Sequence, residues 1–382
     1  MNRCSCIVAA ALFAMLAIGD LSAAPPRKAS GPWNPTVRSS APATIDPAPL
    51  RNREASRLFA KAQPLVASAR SVRNDIDGDG RSDLIWHTYE RDFHPGIAVY
   101  RFAYWRMDGA TILSKHSYEI DTNFRDVATG DYDGDGRADI LFVTHDYIPA
   151  SPEKRVFMWR SRGDSTFDAY FLGSVPKAWV VAPPAAVADI NGDGRDDIVW
   201  ENRDNNQAAY WLMNGASVIG SSVFGVNDDC RMKGAGDFDG DGDDDLLCTT
   251  SWRVYLLRNT GSGDFDMPGS IPFESYWHIS GNVDLNGDGR TDIVWNGSKT
   301  VGMMGFWWMN GSNVIHQEPR WIGYDSYFLG VGDYDGDGLG DVVSLQTVEP
   351  DRKSHYVLLW RNTGNGFDIQ LVDESDSIWL LM

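Results

Sequence analysis

Six stretches of this chain put an oxygen donor at every second position over nine residues. They are Asp75 to Asp83 (DIDGDGRSD), Asp131 to Asp139 (DYDGDGRAD), Asp189 to Asp197 (DINGDGRDD), Asp237 to Asp245 (DFDGDGDDD), Asp284 to Asp292 (DLNGDGRTD) and Asp333 to Asp341 (DYDGDGLGD). Positions 1, 3, 5 and 9 can supply side-chain oxygens and position 7 its backbone carbonyl. The candidate ligands are therefore Asp75, Asp77, Asp79, Arg81 and Asp83 in the first loop and Asp131, Asp133, Asp135, Arg137 and Asp139 in the second. The third and fourth offer Asp189, Asn191, Asp193, Arg195 and Asp197, then Asp237, Asp239, Asp241, Asp243 and Asp245. The last two offer Asp284, Asn286, Asp288, Arg290 and Asp292, then Asp333, Asp335, Asp337, Leu339 and Asp341. Oxygen-only donor sets of this kind suit a hard dication such as calcium, which takes roughly six to eight oxygens at about 2.3 to 2.6 Å. Glycine at positions 4 and 6 of every copy permits the tight turn such a loop needs.

A single DGDG is an ordinary hairpin turn. Here 22 of the 53 acidic residues stand at positions 1, 3, 5 and 9 of the six copies, which turns a net charge of -19 into local clusters of mutually repelling carboxylates. About six calcium ions are the expected compensation. An EF-hand is excluded, because that motif requires a carboxylate at position 12 and flanking helices, whereas position 12 is Trp86, Phe142, Trp200, Cys248, Trp295 and Ser344. The runs after the loops (LIWH, ILFV, IVWE, LLCT, IVWN, VVSL) are short, apolar and rich in β-branched and aromatic residues, so each loop joins two strands.

The elements that must position these loops follow from the spacing. Loop starts at 75, 131, 189, 237, 284 and 333 give a period near 50 residues, room for four short strands each and the signature of propeller blades. The third strand alternates. Odd units carry aromatic-Trp-x-Met-Asp/Asn-Gly (Tyr104 to Gly109, Tyr210 to Gly215, Phe306 to Gly311); even units carry Arg160, Arg258 or Arg361 ahead of a glycine-containing turn.

Segments such as GDFDGDGDDDLL (236 to 247) followed by YLLRNTGSGDF (255 to 265) resemble the FG-GAP/VCBS repeat family, of which the integrin α propeller is the best-known member. The resemblance covers roughly residues 63 to 382. It implies an all-β propeller bearing calcium in loops between the first two strands of each blade. Six blades are expected from the count of loops, with seven as the alternative. The tail Ile378 to Met382 is a better candidate than residues 65 to 73 to complete the first blade.

The remaining sequence sets the context. Residues 1 to 24 read as a secretory signal, with Arg3, an apolar run from Ile7 to Ile18, and small residues Ser22, Ala23 and Ala24; the run is too short to span a bilayer. Residues 25 to 62 read as a Pro/Ala/Ser-rich linker, with a short basic helix expected near 51 to 62. Past the signal only Cys230 and Cys248 remain, and a disulfide and two buried thiols are both compatible with them. The six tryptophans in repeat register (Trp86, Trp105, Trp200, Trp211, Trp295, Trp307) read as packing between blades. The RGDS of Arg162 to Ser165 reads as turn residues. The acidic balance disfavours nucleic acid, and no catalytic motif stands out. The expectation is a secreted binding or adhesion module for a protein or glycan, with an enzyme acting on polysaccharide as the alternative.

Overall fold

The computed structural model describes residues 38–44, 72–91, 98–120, 124–144, 153–182, 187–227, 229–297, 302–323, 326–347, 355–375 and 380–381. Every regular element among them is a strand. The strands leaving the loops, such as Asp139–Thr144 (DILFVT) and Asp197–Asn202 (DIVWEN), are buried along their whole length. Strands buried on both faces read as continuous apolar runs, which is why these segments do not alternate.

The strands form six antiparallel meanders. Blade 1 is built from Leu380–Leu381, Leu84–Arg91, Ala98–Asp108 and Thr111–Ile120. Blade 2 uses Phe124–Gly130, Asp139–Thr144, Glu153–Ser161 and Phe167–Pro176; blade 3 uses Val187–Ala188, Asp197–Asn202, Gln207–Asn214 and Ser217–Gly225. Blade 4 has Arg231–Gly236, Asp245–Thr249, Arg253–Asn259 and Phe265–Asp266. Blade 5 has Trp277–Val283, Asp292–Gly297, Met303–Asn310 and Asn313–Trp321, and blade 6 has Ser326–Gly332, Asp341–Thr347, His355–Asn362 and Phe367–Ser375.

No blade has a core of its own. Six apolar clusters lie between neighbouring blades, joining 1 with 2, 2 with 3, and so on round to 6 with 1. In blades 1, 3 and 5 a tryptophan on the second strand meets one on the third: Trp86 with Trp105, Trp200 with Trp211, and Trp295 with Trp307, at centroid distances of 4.6, 5.1 and 4.6 Å. Burying such large rings between sheets fixes the blade spacing, as the register of the tryptophans predicts. Where innermost strands crowd together, glycine is required: a Cβ on Gly281 would lie 2.7 Å from Val331.

The ring closes through the tail. Leu381 pairs with Trp86 and Leu380 with His87, so the chain's last described strand supplies the innermost strand of blade 1. Two other findings bear on the sequence expectations. Cys230 and Cys248 form a disulfide with a Cα–Cα distance of 5.5 Å, tying together the two sides of the fourth acidic loop. Arg38–Thr44, within the stretch expected to be a linker, pairs in parallel with the outer strand of blade 2. An outer strand exposes unpaired N–H and C=O groups, and an extended segment can satisfy them without burying a core. The expected signal and the expected basic helix lie outside the described residues.

Removing Leu380 to Met382 should leave the inner edge of Leu84–Arg91 without its partner. We expect a lower melting temperature and a broader thermal transition, read by circular dichroism; an unchanged transition would refute closure by the tail.

Candidate metal loops

Each loop is organised around the carboxylate at its first position. In the first loop, Asp75 Oδ1 accepts from the N–H groups of Gly78 and Asp79 (2.7 and 3.1 Å) and Oδ2 from that of Gly80 (2.8 Å). Asp131, Asp237 and Asp333 repeat all three bonds. Turning three successive N–H groups inward needs φ values of 65° to 99° at positions 4 and 6, and glycine occupies both in every loop. The fifth carboxylate accepts the N–H of position 7 in all six loops.

The ninth carboxylate is the buried anchor. One of its oxygens accepts an N–H from the third strand of its own blade: Met107 to Asp83, Ser161 to Asp139, Met213 to Asp197, Asn259 to Asp245, Met309 to Asp292 and Asn362 to Asp341. In five loops the other accepts the N–H of position 2.

The loops also bind one another, a feature that a ligand-by-ligand reading of the sequence does not anticipate. The N–H of position 8 donates to the carbonyl of position 1 in the preceding loop, at 2.6 to 3.0 Å: Ala138 to Asp75, Asp196 to Asp131, Asp244 to Asp189, Thr291 to Asp237, Gly340 to Asp284, and Ser82 back to Asp333. A second ring runs beside it through the carbonyls of position 2. Odd blades satisfy these with the backbone N–H of Gly109, Gly215 and Gly311. Even blades use the side chains of Ser161, Asn259 and Asn362. The alternating third-strand motifs are thus two chemical answers to one acceptor. Position 7, expected to act through its carbonyl, also carries its side chain across to the preceding loop: Arg137, Arg195 and Arg81 lie against Gly78, Gly134 and Gly336.

The structure brings together three of the expected donors in each of four loops. Oxygens of Asp75, Asp77 and Asp83, of Asp131, Asp133 and Asp135, of Asp237, Asp239 and Asp245, and of Asp333, Asp335 and Asp341 lie within 4.8 Å of one another in each group. Position 5 joins the group only in the second loop. In the third and fifth loops Asp193 and Asp288 are paired with Arg195 and Arg290, both at 3.1 Å.

Desolvation dominates the electrostatics. Burial pushes Asp83 and Asp245 up to about 8, Asp139 to about 9, and Asp292 and Asp341 to about 7. Asp197 lies well above the usual carboxylate range for the same reason, and Asp75 and Asp189 rise to about 6 and about 7. Asp77 Oδ1 and Asp139 Oδ2 are buried with no hydrogen-bond partner. Buried carboxylates in this state fit a cation: they cost free energy as free anions, and their donors are oxygens alone.

The RGDS turn is not presented as a free loop. Arg162 donates to both carboxylate oxygens of Asp168 (3.1 and 2.5 Å), and Asp164 accepts from the N–H and hydroxyl of Thr166 (3.1 and 2.5 Å).

Comparison with known proteins agrees with this geometry. Residues 75–142, 237–283 and 284–344 each match the FG-GAP-like repeat. The chain is 23% identical to integrin alpha pat-2 of Caenorhabditis elegans, an alignment covering 55% of this chain and 20% of that protein, so it spans about one fifth of that relative's length. Among solved structures it is similar to an Agrocybe aegerita lectin described as recognising non-reducing terminal N-acetylglucosamine (16% identity, 78% of this chain and 82% of that one, TM-score 0.45). It is also similar to a periplasmic gluconolactonase of Pseudomonas aeruginosa (12% identity, 78% and 85%, TM-score 0.44). Three matched stretches, and six acidic loops in one register on six blades, show that this chain carries FG-GAP-like repeats.

Proposed function

We propose that the protein is a secreted, calcium-stabilised propeller that serves as an extracellular binding or adhesion module for a protein or glycan partner. The observation that carries the calcium reading is the ring of six loops, each holding a buried ninth-position carboxylate among further acidic side chains. Calcium would supply the positive charge that these oxygens lack. Positions 1, 3 and 9 would hold it in the first, fourth and sixth loops, positions 1, 3 and 5 in the second, and the corresponding oxygens around Asn191 and Asn286 in the other two. The chain's own part is to wrap N–H groups around position 1 and to join each loop to the next, so that ordering one loop supports its neighbours. The integrin relationship, limited to a fifth of that protein, supports a scaffold that presents its rim and faces to a macromolecule. A glycan array and a pull-down from surface extracts, each with calcium and with chelator, test this; release of product from a polysaccharide would favour an enzyme instead.

Metal analysis after dialysis against millimolar calcium should find about six ions per chain; two or fewer would mean that most loops do not bind. Extracellular calcium modules have dissociation constants down to about 0.1 mM, and at that affinity about 1 mM calcium adds about 1.4 kcal/mol per site. Six independent sites then contribute roughly 8 kcal/mol, comparable with the net stability of a whole domain. Chelation should therefore lower the melting temperature sharply. Asp135→Ala should lower it in calcium and barely change it in chelator.

Acidity should act in opposite senses on the two forms. A carboxylate whose folded pKa is raised contributes stability that is fully present below its unfolded value near 4 and is lost as pH rises through the folded value. For the ninth-position residues that loss begins near pH 4 and is complete once the pH has passed folded values of about 7 to 9. In chelator the melting temperature should fall from pH 5 to 8.5, while the rise produced by calcium should grow over the same interval. A calcium-induced rise that is flat with pH would contradict a cation at these carboxylates.

A further inference from the structure

The third strand of each blade presents a residue whose type follows the acidic loop of that blade. One residue ahead of the N–H that binds the ninth carboxylate stand Arg106, Arg160, Leu212, Arg258, Trp308 and Arg361, in blades 1 to 6. The third loop positions, in the same order, are Asp77, Asp133, Asn191, Asp239, Asn286 and Asp335. Arginine accompanies every Asp, and an uncharged side chain accompanies both Asn. Over positions 1, 3, 5 and 9 plus this residue, each loop thus holds either four carboxylates and a guanidinium or three carboxylates alone, a formal charge of -3 both ways.

Blade type does not explain the match. Blade 1 shares the aromatic-Trp-x-Met-Asp/Asn-Gly segment with blades 3 and 5, yet it has Arg106 with Asp77 where they have Leu212 with Asn191 and Trp308 with Asn286. The match follows the loop.

The contacts agree. Arg106 is ion-paired with Asp77 and reaches Asp79 at 3.5 Å. Arg160 lies 3.5 Å from Asp133, and Arg361 lies 3.5 Å from Asp335. Arg258 differs: it donates to both carboxylate oxygens of Asp266 (3.0 and 2.5 Å). The Asp77 side chain is only 6% exposed, so its charge needs a partner whenever no cation is present.

We propose that Arg106, Arg160 and Arg361 are resident counter-ions of the third-position carboxylates, holding the loop together without a cation and yielding the carboxylate when a cation enters. The first half stands on the ion pairs alone; the second rests on the calcium reading above. Three loops are then guarded by an arginine in contact with the third carboxylate, and each such arginine is a competitor that weakens binding at its own loop.

The test is a double-mutant cycle on blade 1 in the full chain, with melting followed by circular dichroism in chelator and in millimolar calcium. In chelator, Arg106→Leu should lower the melting temperature. Asp77→Asn combined with Arg106→Leu, which recreates the pairing of blades 3 and 5, should recover most of the loss, a coupling of about tenfold in the unfolding equilibrium. Calcium should raise the melting temperature of Arg106→Leu by more than that of the parent, because the competitor is gone. Additive effects in chelator would overturn the counter-ion role. An equal loss for Arg106→Leu in chelator and in calcium would overturn displacement. If the parent ignores calcium while the cycle still couples, the calcium reading and displacement both fall and the counter-ion pairing stands. Should Arg106→Leu not fold, Arg361→Leu with Asp335→Asn repeats the cycle on blade 6.

Discussion

The structure depends on placing negative charge where water cannot reach it. The ninth carboxylate of every loop lies at the root of the blade, fully buried, and it fastens the loop to the third strand through one oxygen and, in five loops, to its own second residue through the other. An uncompensated buried carboxylate is expensive. The surrounding features reduce that cost: N–H groups turned inward by glycines, and arginines placed against third-position aspartates.

Joining the loops head to tail changes what one loop means for the rest. The N–H of position 8 reaches the preceding loop in all six cases, and Ser82 closes the circle onto Asp333. A loop that loosens therefore exposes a carbonyl on one side and an N–H on the other. Because the apolar clusters lie between blades rather than within them, the packing shares the same circular logic. Neither a blade nor a loop is an independent unit of stability.

The blade count, the tail's part in closure and the packing role of the tryptophans were legible because each rests on periodicity: repeated loops, repeated strands, repeated Trp pairs. The acidic clusters of the loops were legible as residue types. Position 5 stands apart from the grouped oxygens of the first, fourth and sixth loops, where positions 1, 3 and 9 converge instead; which carboxylates converge depends on side-chain reach and not on spacing. The roles of position 8 and of the third-strand residue were hidden for a related reason. Position 8 works mainly through its backbone, so Ser, Ala, Asp, Thr and Gly all serve and leave no pattern. The alternation of Gly109 with Ser161, Gly215 with Asn259, and Gly311 with Asn362 looks like two repeat types until the shared acceptor is seen.

The pairing of Trp86 with Leu381 has a consequence for how the molecule is made. Blade 1 contains the earliest of the six repeats, yet its innermost strand is supplied by residues far later in the chain. At about 5 to 20 residues per second, the roughly 300 residues between them take some 15 to 60 s to emerge. During that interval Leu84–Arg91 has an open edge and Trp86 has no completed blade against which to pack. Until the tail has emerged the protein is an unclosed arc, and its open edge is exposed to pairing with another chain before its own partner exists.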